Sequence, residues 1–250
     1  MKIFLTNDDG IYADGIRILA EVLQEAGHQV FIVAPDRERS ATGHSITILE
    51  PIRAIKVNIN KDITAYKVSG TPADCVKLGL EKLIDFTPDL LISGINNGSN
   101  LAFDVLYSGT VSAAIEGWIM GLNSIAISLA RKEKYNFQTA AYFLADFLEK
   151  EDLSVFKEKI LLNINVPDQE QEDIRGVKIC KLGTSLYEES FVERLDPAGR
   201  KYYWLAGSGN RKGLENTDIW AVENNYIAIT PLKLQLDDQD LIDNWPGKDL

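Results

Sequence analysis

Lys2-Ile-Phe-Leu-Thr-Asn-Asp-Asp-Gly10 begins as an apolar run and turns abruptly polar. The run over 2–6 is short and bounded by turn residues, which is typical of a buried strand. Apolar residues at helical spacing follow over 16–23, and a second apolar run over 29–34 ends at a proline. A buried strand, a helix and another buried strand in this order indicate an α/β protein.

The alternation of strand-like and helix-like segments continues through the first two-thirds of the chain. It implies a mostly parallel sheet with helices on both faces. No G-x-G-x-x-G follows the first strand, so the fingerprint of a dinucleotide site is missing. The further predicted strands are 46–59 and 64–68 around a turn at 60–62, then 89–93, 123–129 and 160–166. The further predicted helices are 72–84, a helix from about 108 onward, and 137–149.

The C-terminal part has a different character. From residue 177 onward the sequence is β-like and rich in Tyr and Trp, and no helical pattern interrupts it before 237–243. Hairpins that project from a compact domain expose aromatic surface unless another subunit covers them. We therefore predict a catalytic domain over residues 1–180 and a β-rich oligomerisation arm over 181–250. The alternative is a hairpin that folds back on its own domain.

Composition limits the class of partner and the compartment. Lys and Arg total 26 against 37 Asp and Glu, a net charge of −11, which argues against a nucleic acid polymer as partner. An anionic substrate must therefore be captured locally, by a cation or by backbone N–H groups. Cys75 and Cys180 make neither a disulfide framework nor a thiolate zinc site. With no signal peptide and no apolar stretch that spans a bilayer, we expect a cytoplasmic protein without a membrane partner.

The candidate site begins with Asp8 and Asp9, directly after the first strand. In an open α/β sheet, ligands gather at the C-terminal ends of the strands. Adjacent carboxylates in a confined site repel each other and stay ionised only if a cation or hydrogen-bond donors compensate their charge. Hard divalent cations such as Mg²⁺ or Mn²⁺ prefer such oxygens. Alone, however, an Asp-Gly pair is equally a common turn.

Two more polar loops follow predicted strands. The loop over 35–45 could offer hydroxyl ligands, guanidinium groups and the imidazole of His44, or be a solvated charge cluster. The loop over 93–100 offers the amide oxygen of Asn96, although its Gly and Asn residues also suit left-handed turns. Downstream, Ser108, Gly109 and Thr110 open a helix, where N–H groups and the helix dipole can hold phosphate. An ordinary N-cap explains the same residues.

Ordered motifs then run from the N-terminus nearly to the end of the chain, and together they closely resemble the survival protein SurE family of nucleotidases. The matching stretches are Thr6-Asn-Asp-Asp-Gly10, Ser40-Ala-Thr-Gly-His-Ser-Ile-Thr47, Ser69-Gly-Thr-Pro-Ala-Asp-Cys75, Ser93-Gly-Ile-Asn96, Tyr107-Ser-Gly-Thr-Val111, Leu162-Asn-Ile-Asn-Val-Pro167, Asp196-Pro197 with Tyr202-Tyr-Trp204, and Asp218 with Ile229-Thr-Pro-Leu232. Two departures are Ala102, where the family usually has glycine, and residues 178–183, which lack the family's common arginines.

The resemblance implies a Rossmann-like three-layer domain with a C-terminal β arm that exchanges between subunits of a homodimer or tetramer. It implies a phosphatase that depends on one divalent cation per subunit, Mg²⁺ or Mn²⁺. The substrates would be nucleoside 5′-monophosphates, often 3′-monophosphates and sometimes polyphosphate. By motif position, the metal ligands would be Asp8, Asp9, Ser40 and Asn96.

A mechanism follows as a hypothesis. Asp8 or Asp9 orients the attacking water or takes its proton, and Ser108, Gly109 and Thr110 hold the phosphoryl oxygens. His44 is a further candidate, as a phosphate contact or leaving-group acid. Two other functions stay open from the residues alone: a nucleotide-sensing module without turnover, and a metal-dependent transferase that uses a nucleotide sugar.

Overall fold

The computed structural model describes residues 1–59, 63–130, 136–184, 189–207 and 213–246 of the chain. Its strands are β1 (Lys2–Thr6), β2 (Gln29–Pro35), β3 (Ala54–Val57), β4 (Thr64–Val68), β5 (Leu90–Asn97), β6 (Asn123–Ala130), β7 (Leu161–Pro167), β8 (Val177–Ile179), β9 (Glu189–Leu195), β10 (Lys201–Gly207) and β11 (Ile227–Pro231). Its α-helices are α1 (Asp14–Glu25), α2 (Pro72–Leu78), α3 (Gly109–Ile119), α4 (Phe137–Lys150), α5 (Asp218–Glu223) and α6 (Gln239–Asp243).

Within these described ranges, nine strands form one sheet in the order β3-β4-β2-β1-β5-β6-β7-β11-β8. The six strands from β4 to β7 in that order run parallel to one another. At the two sides of this parallel centre, β3 is antiparallel to β4 and β11 is antiparallel to β7. The predicted mostly parallel sheet is confirmed.

Both faces of the sheet are covered, which explains why its central strands are apolar without alternation. In β1, Ile3 and Leu5 pack into the apolar cluster that includes α1 and α4, and Phe4 packs into the cluster that includes α2 and α3. Burying a side chain of this size contributes roughly 1.5–3 kcal/mol relative to exposure. Two such clusters on opposite faces confirm the predicted three-layer arrangement. No helix in the described part of the chain is long and apolar enough to cross a bilayer.

The strand predicted over 46–59 is wrong for its first half, since β3 covers only Ala54–Val57. The backbone N–H and hydroxyl of Thr47 donate to the Asp74 carboxylate, at 3.0 and 2.6 Å. The N–H of Arg53 donates to the Ser69 hydroxyl at 3.0 Å. These donors are satisfied by side chains of neighbouring segments, so the segment needs no strand ladder. The turn predicted at 60–62 lies outside the described residues.

The helix predicted over 72–84 begins as predicted, with a capping box formed by Thr71 and Asp74. It changes after Leu78 into a π-helical turn, Gly79–Leu83. A β-carbon at Gly79 would lie 2.4 Å from the ring of Phe4, so the absent side chain allows the backbone to approach this core residue. Periodicity alone does not reveal such a change in helix type.

The hairpin of β9 and β10 forms a separate two-stranded antiparallel sheet. Its apolar side chains are largely exposed: Phe191 is 70% and Trp204 65% accessible, and Leu205 and Tyr203 are more than half accessible. This hairpin is the part of the C-terminal region that has the character of the predicted arm.

After the hairpin, strand β11 and helix α5 return to the central sheet. Strand β11 lies between β7 and β8, and α5 contacts both β11 and β7. The predicted boundary at residue 180 therefore does not coincide with the edge of the sheet. Helix α5 was not predicted, because it is a six-residue segment that begins at a Thr217 cap and is too short to show periodicity. Helix α6 lies within the predicted 237–243.

Candidate active site

The polar loops after β1, β2 and β5 meet because these three strands are parallel neighbours in the sheet. The backbone N–H of Arg39 donates to the backbone oxygen of Asp8 at 2.7 Å. The backbone N–H of Asn97 donates to the Asp9 carboxylate at 3.0 Å. The hydroxyl of Thr110, in the first turn of α3, donates to the Asp8 carboxylate. Asp8 and Asp9 are thus the point where three loops and a helix start converge.

The turn that carries both carboxylates is closed by Asn7. Its side-chain amide donates to the oxygen of Gly10 at 2.9 Å and accepts from the N–H of Gly10 at 3.2 Å. Gly10 has φ +101°, in the left-handed region that favours glycine. A β-carbon there would also lie 3.2 Å from the backbone of Arg37. The absence of a side chain at Gly10 therefore allows the loop after β2 to approach this turn closely.

Asp8 is buried, with 4% of its surface exposed, and Gly109 lies directly against it. The pKa of Asp8 is raised to about 6, chiefly by burial; the Thr110 hydrogen bond opposes the rise and the neighbouring charge of Asp9 adds to it. The carboxylate sits at the N-terminus of α3, where the helix dipole favours negative charge. The helix start predicted to hold phosphate therefore also holds the metal-ligand candidate Asp8.

Asp9 is half-buried. Burial raises its pKa, the Asn97 N–H opposes the rise, and the charge of Glu38 adds to it. Glu38 also accepts a hydrogen bond from the Ser40 hydroxyl at 2.6 Å. No pattern in the sequence points to Glu38, because it stands in a run of charged residues that is equally typical of a solvated surface.

The remaining predicted ligands lie in the loops that contact Asp8 and Asp9. Ser40 is exposed and is bonded to Glu38, whose charge acts on Asp9. Asn96 is half-buried, and its amide nitrogen donates to the oxygen of Gly98 at 2.8 Å. That bond fixes the amide plane and assigns the carbonyl oxygen as the atom suited to a cation.

The donor chemistry fits a hard divalent cation. Across the described residues, no Lys or Arg forms an ion pair with Asp8 or Asp9. The same part of the chain has no cluster of three His, Cys, Asp or Glu side chains able to hold a metal. A cation at Asp8 and Asp9 would therefore take its other ligands from hydroxyl, amide and water oxygens, the set that suits Mg²⁺ or Mn²⁺.

The predicted phosphate-binding residues are partly engaged within the protein. The Ser108 hydroxyl accepts from the N–H of Val111 at 3.1 Å, so it caps α3, and the Thr110 hydroxyl is bound to Asp8. Gly109 stands between them, in a first turn whose N–H groups lack intrahelical partners. His44 contacts a carboxylate, with its Nε2 2.8 Å from Glu116.

A cleft of about 490 Å³ opens beside Asp9. Its walls come from the second and third loops and from the first turns of α1 and α4; they include Glu38, Asn97, Asp14, Arg17 and Gln138. This volume lies within the range of small-molecule sites. The sequence patterns did not indicate the contribution of α1 and α4.

Comparison with known proteins identifies the family of the chain. The model of the family described as Survival protein SurE matches residues 3–189. The chain is 50% identical to the 5′-nucleotidase SurE of Gloeobacter violaceus over 239 residues, which cover 94% of this chain and 91% of the relative. It is 48% identical to that of Desulfitobacterium hafniense over 238 residues, which cover 95% of this chain and 93% of the relative.

A solved structure shows the same fold. The crystal structure of the SurE protein from Aquifex aeolicus superposes with a TM-score of 0.85 at 38% identity, covering 98% of each chain. The matched family segment contains Asp8, Asp9, Ser40, Asn96 and the start of α3. This chain therefore belongs to the survival protein SurE family.

Proposed function

We propose that the protein is a divalent-metal-dependent 5′-nucleotidase, which hydrolyses nucleoside 5′-monophosphates to nucleoside and phosphate. The observation that carries this proposal is the buried Asp8 beside Asp9 at the start of α3, in a chain whose relatives are named 5′-nucleotidase SurE. We extend the proposal to nucleoside 3′-monophosphates and polyphosphate, which present the same terminal phosphoryl group.

The candidate residues have separate proposed roles in metal binding and hydrolysis. Asp8, Asp9, Ser40 and Asn96 would hold one Mg²⁺ or Mn²⁺ per subunit. When bound, such a cation neutralises charge on a phosphoryl oxygen and lowers the pKa of water. Asp8 and Asp9 orient the attacking water, and one of them accepts its proton. Of the predicted phosphate contacts Ser108, Gly109 and Thr110, the N–H of Ser108 donates to the oxygen of Asp104 and that of Thr110 to Asp8, so the N–H of Gly109 is the donor proposed for a phosphoryl oxygen.

Removal of the metal tests the proposal. With Mg²⁺ or Mn²⁺ we expect phosphate release from AMP, with adenosine as the other product, and we expect it to stop with EDTA and return when the cation is added in excess. Phosphate assay and chromatography of the products measure this. A protein that binds AMP without turnover would contradict the proposal, and so would one that consumes only a nucleotide sugar with an acceptor.

We further propose a homodimer or tetramer joined through the hairpin β9–β10. Its opposite faces expose Phe191 and Trp204, and a soluble protein rarely leaves such aromatic surface uncovered. We also place the protein in the cytoplasm, since Cys75 and Cys180 are free thiols, as a reducing compartment allows.

Charge placed on the hairpin is expected to separate the subunits. Phe191→Glu with Trp204→Glu introduces carboxylates where an apolar contact is proposed, so light scattering is expected to give the mass of one chain. Leu236→Glu, at a residue 97% exposed outside the hairpin, serves as the control and is expected to keep the wild-type mass. If the wild-type protein is monomeric at micromolar concentration, the proposal that the hairpin joins subunits is wrong.

A further inference from the structure

Glu116 is a buried carboxylate that the proposed hydrolysis does not use. It lies on α3, and its side chain is 6% exposed. One carboxylate oxygen accepts from Lys77 of α2 at 3.0 Å, and the other is 2.8 Å from Nε2 of His44. A carboxylate only accepts, so the imidazole donates through Nε2–H. A buried charge with both oxygens bonded in this way is held in one place.

His44 belongs to the loop that carries the candidate ligand Ser40. This loop is bonded at several points along its length: the N–H of Arg39 to Asp8, the N–H of Gly43 to the oxygen of Tyr107 at 3.0 Å, and Thr47 to Asp74. His44 adds a side-chain contact to the body of α3. Because Thr110 in the first turn of α3 is bonded to Asp8, this contact joins the Ser40 loop to the helix that holds Asp8.

We infer that Glu116 is a positioning residue, which acts through the imidazole of His44 to hold the Ser40 loop in place for the cation. The inference rests on the proposed function and deepens it. His44 is then a tether whose Nε2–H is committed to Glu116. Lys77, on the other oxygen, compensates the buried charge. Residues that position a metal ligand without touching the metal typically lower metal affinity by about 10–100-fold when they are removed.

The first test is His44→Ala compared with His44→Gln. His44 is about one-third exposed, so the fold tolerates its replacement. In His44→Ala we expect Mn²⁺ binding, measured by calorimetry, to weaken about tenfold or more, and AMP hydrolysis to recover most of its rate at saturating Mn²⁺. Glutamine keeps an N–H donor at the position of Nε2, so His44→Gln is expected to bind Mn²⁺ within a few-fold of wild type.

The second test shows whether Glu116 acts through His44. Glu116→Gln is expected to weaken Mn²⁺ binding as His44→Ala does, and the double variant is expected to be no weaker than either single one. Lys150→Met is the control, because its exposed pair with Asp146 on α4 lies away from the loop. The melting temperature of each variant shows that it is folded.

Three results would overturn the inference. The first is a Glu116→Gln protein that binds Mn²⁺ as wild type does, and the second is additive losses in the double variant. The third is that His44→Gln is as impaired as His44→Ala and that saturating Mn²⁺ restores the rate of neither. That result would assign His44 to proton transfer. Failure of the proposed function would give a different result, because the wild-type protein would then not release phosphate from AMP. The Mn²⁺ titrations would still measure the effect of the His44–Glu116 contact on Mn²⁺ affinity.

Discussion

Asp8→Asn is expected to lower the kcat of AMP hydrolysis by about 10²-fold or more, the loss typical of a principal acid–base or ligand group. The asparagine keeps the shape of the side chain and can still accept the Thr110 hydroxyl, so the fold is retained. It removes the negative charge that would hold the cation and orient the water. Phosphate release at saturating Mg²⁺, measured beside wild type, gives the result. An unchanged rate with unchanged metal dependence would contradict the assignment of Asp8.

The same substitution is expected to stabilise the metal-free protein at alkaline pH. Because the pKa of Asp8 is about 6 in the fold against an ordinary 3.8, the folded state binds this proton more tightly than the unfolded state. Below about pH 4 both states are protonated and nothing is lost; as pH rises through 6, ionised Asp8 destabilises the fold. One pKa unit corresponds to roughly 1.4 kcal/mol and the pKa of Asp8 is raised by about two units, so a gain on the order of 3 kcal/mol is expected in Asp8→Asn above about pH 6.

Urea unfolding in EDTA at pH 5 and pH 8 measures this gain. Wild type is expected to lose stability between the two pH values, and the difference between wild type and Asp8→Asn is expected to grow over the same interval. Asp14→Asn is the matched control, because it neutralises an exposed carboxylate in the first turn of α1 and leaves the buried Asp8 unchanged. A pH dependence that is the same in wild type and Asp8→Asn would show that the buried charge carries no stability cost.

Gly109→Ala is expected to damage the site strongly through a single added methyl group. The added β-carbon would lie 2.7 Å from Cβ and 2.8 Å from Oδ2 of Asp8, so Asp8 and the start of α3 must move apart. A displacement of about 1 Å at a reacting centre can cost on the order of 10²-fold in rate. We expect kcat/KM for AMP to fall by about that factor, together with weaker Mn²⁺ binding.

Global unfolding does not explain this loss, since alanine is the better helix former and its higher propensity partly offsets the local clash. Circular dichroism and the melting temperature check that the fold is kept. Ile119→Ala, at the exposed end of the same helix, is the control and is expected to hydrolyse AMP as wild type does. Full activity in Gly109→Ala would mean that the helix start and Asp8 need not be in contact.

The fold was predictable where the burial of an element determines which residue types it contains. Strand β1 is buried on both faces, so its three central residues, 3–5, are all apolar and are easily recognised. The segment before β3 was misjudged because Asp74 and Ser69, distant in sequence, supply its hydrogen-bond partners. Strand β11 falls in the region predicted to be β-like from residue 177 onward, but its place beside β7 is a long-range pairing that no local pattern encodes.

The site was predictable to the extent that it lies at strand ends. Asp8 and Asp9 follow β1 directly, and the topology of a parallel sheet brings the other loops to them. Glu116 was not found, because a glutamate inside an apolar helix gives no sign of its partners on other elements. His44 was singled out as the one imidazole in the loop, and its contact with Glu116 depended on the packing of α3.

The position of β11 in the sheet has a consequence for biosynthesis. This strand lies between β7 and β8 yet follows both in the chain, with the hairpin β9–β10 inserted before it. While a ribosome is still making residues 180–226, β7 has an open edge and β8 has no neighbour in the sheet. The nascent protein therefore presents an unpaired strand, the kind of surface that invites aggregation, until residues 227–231 emerge and close the gap.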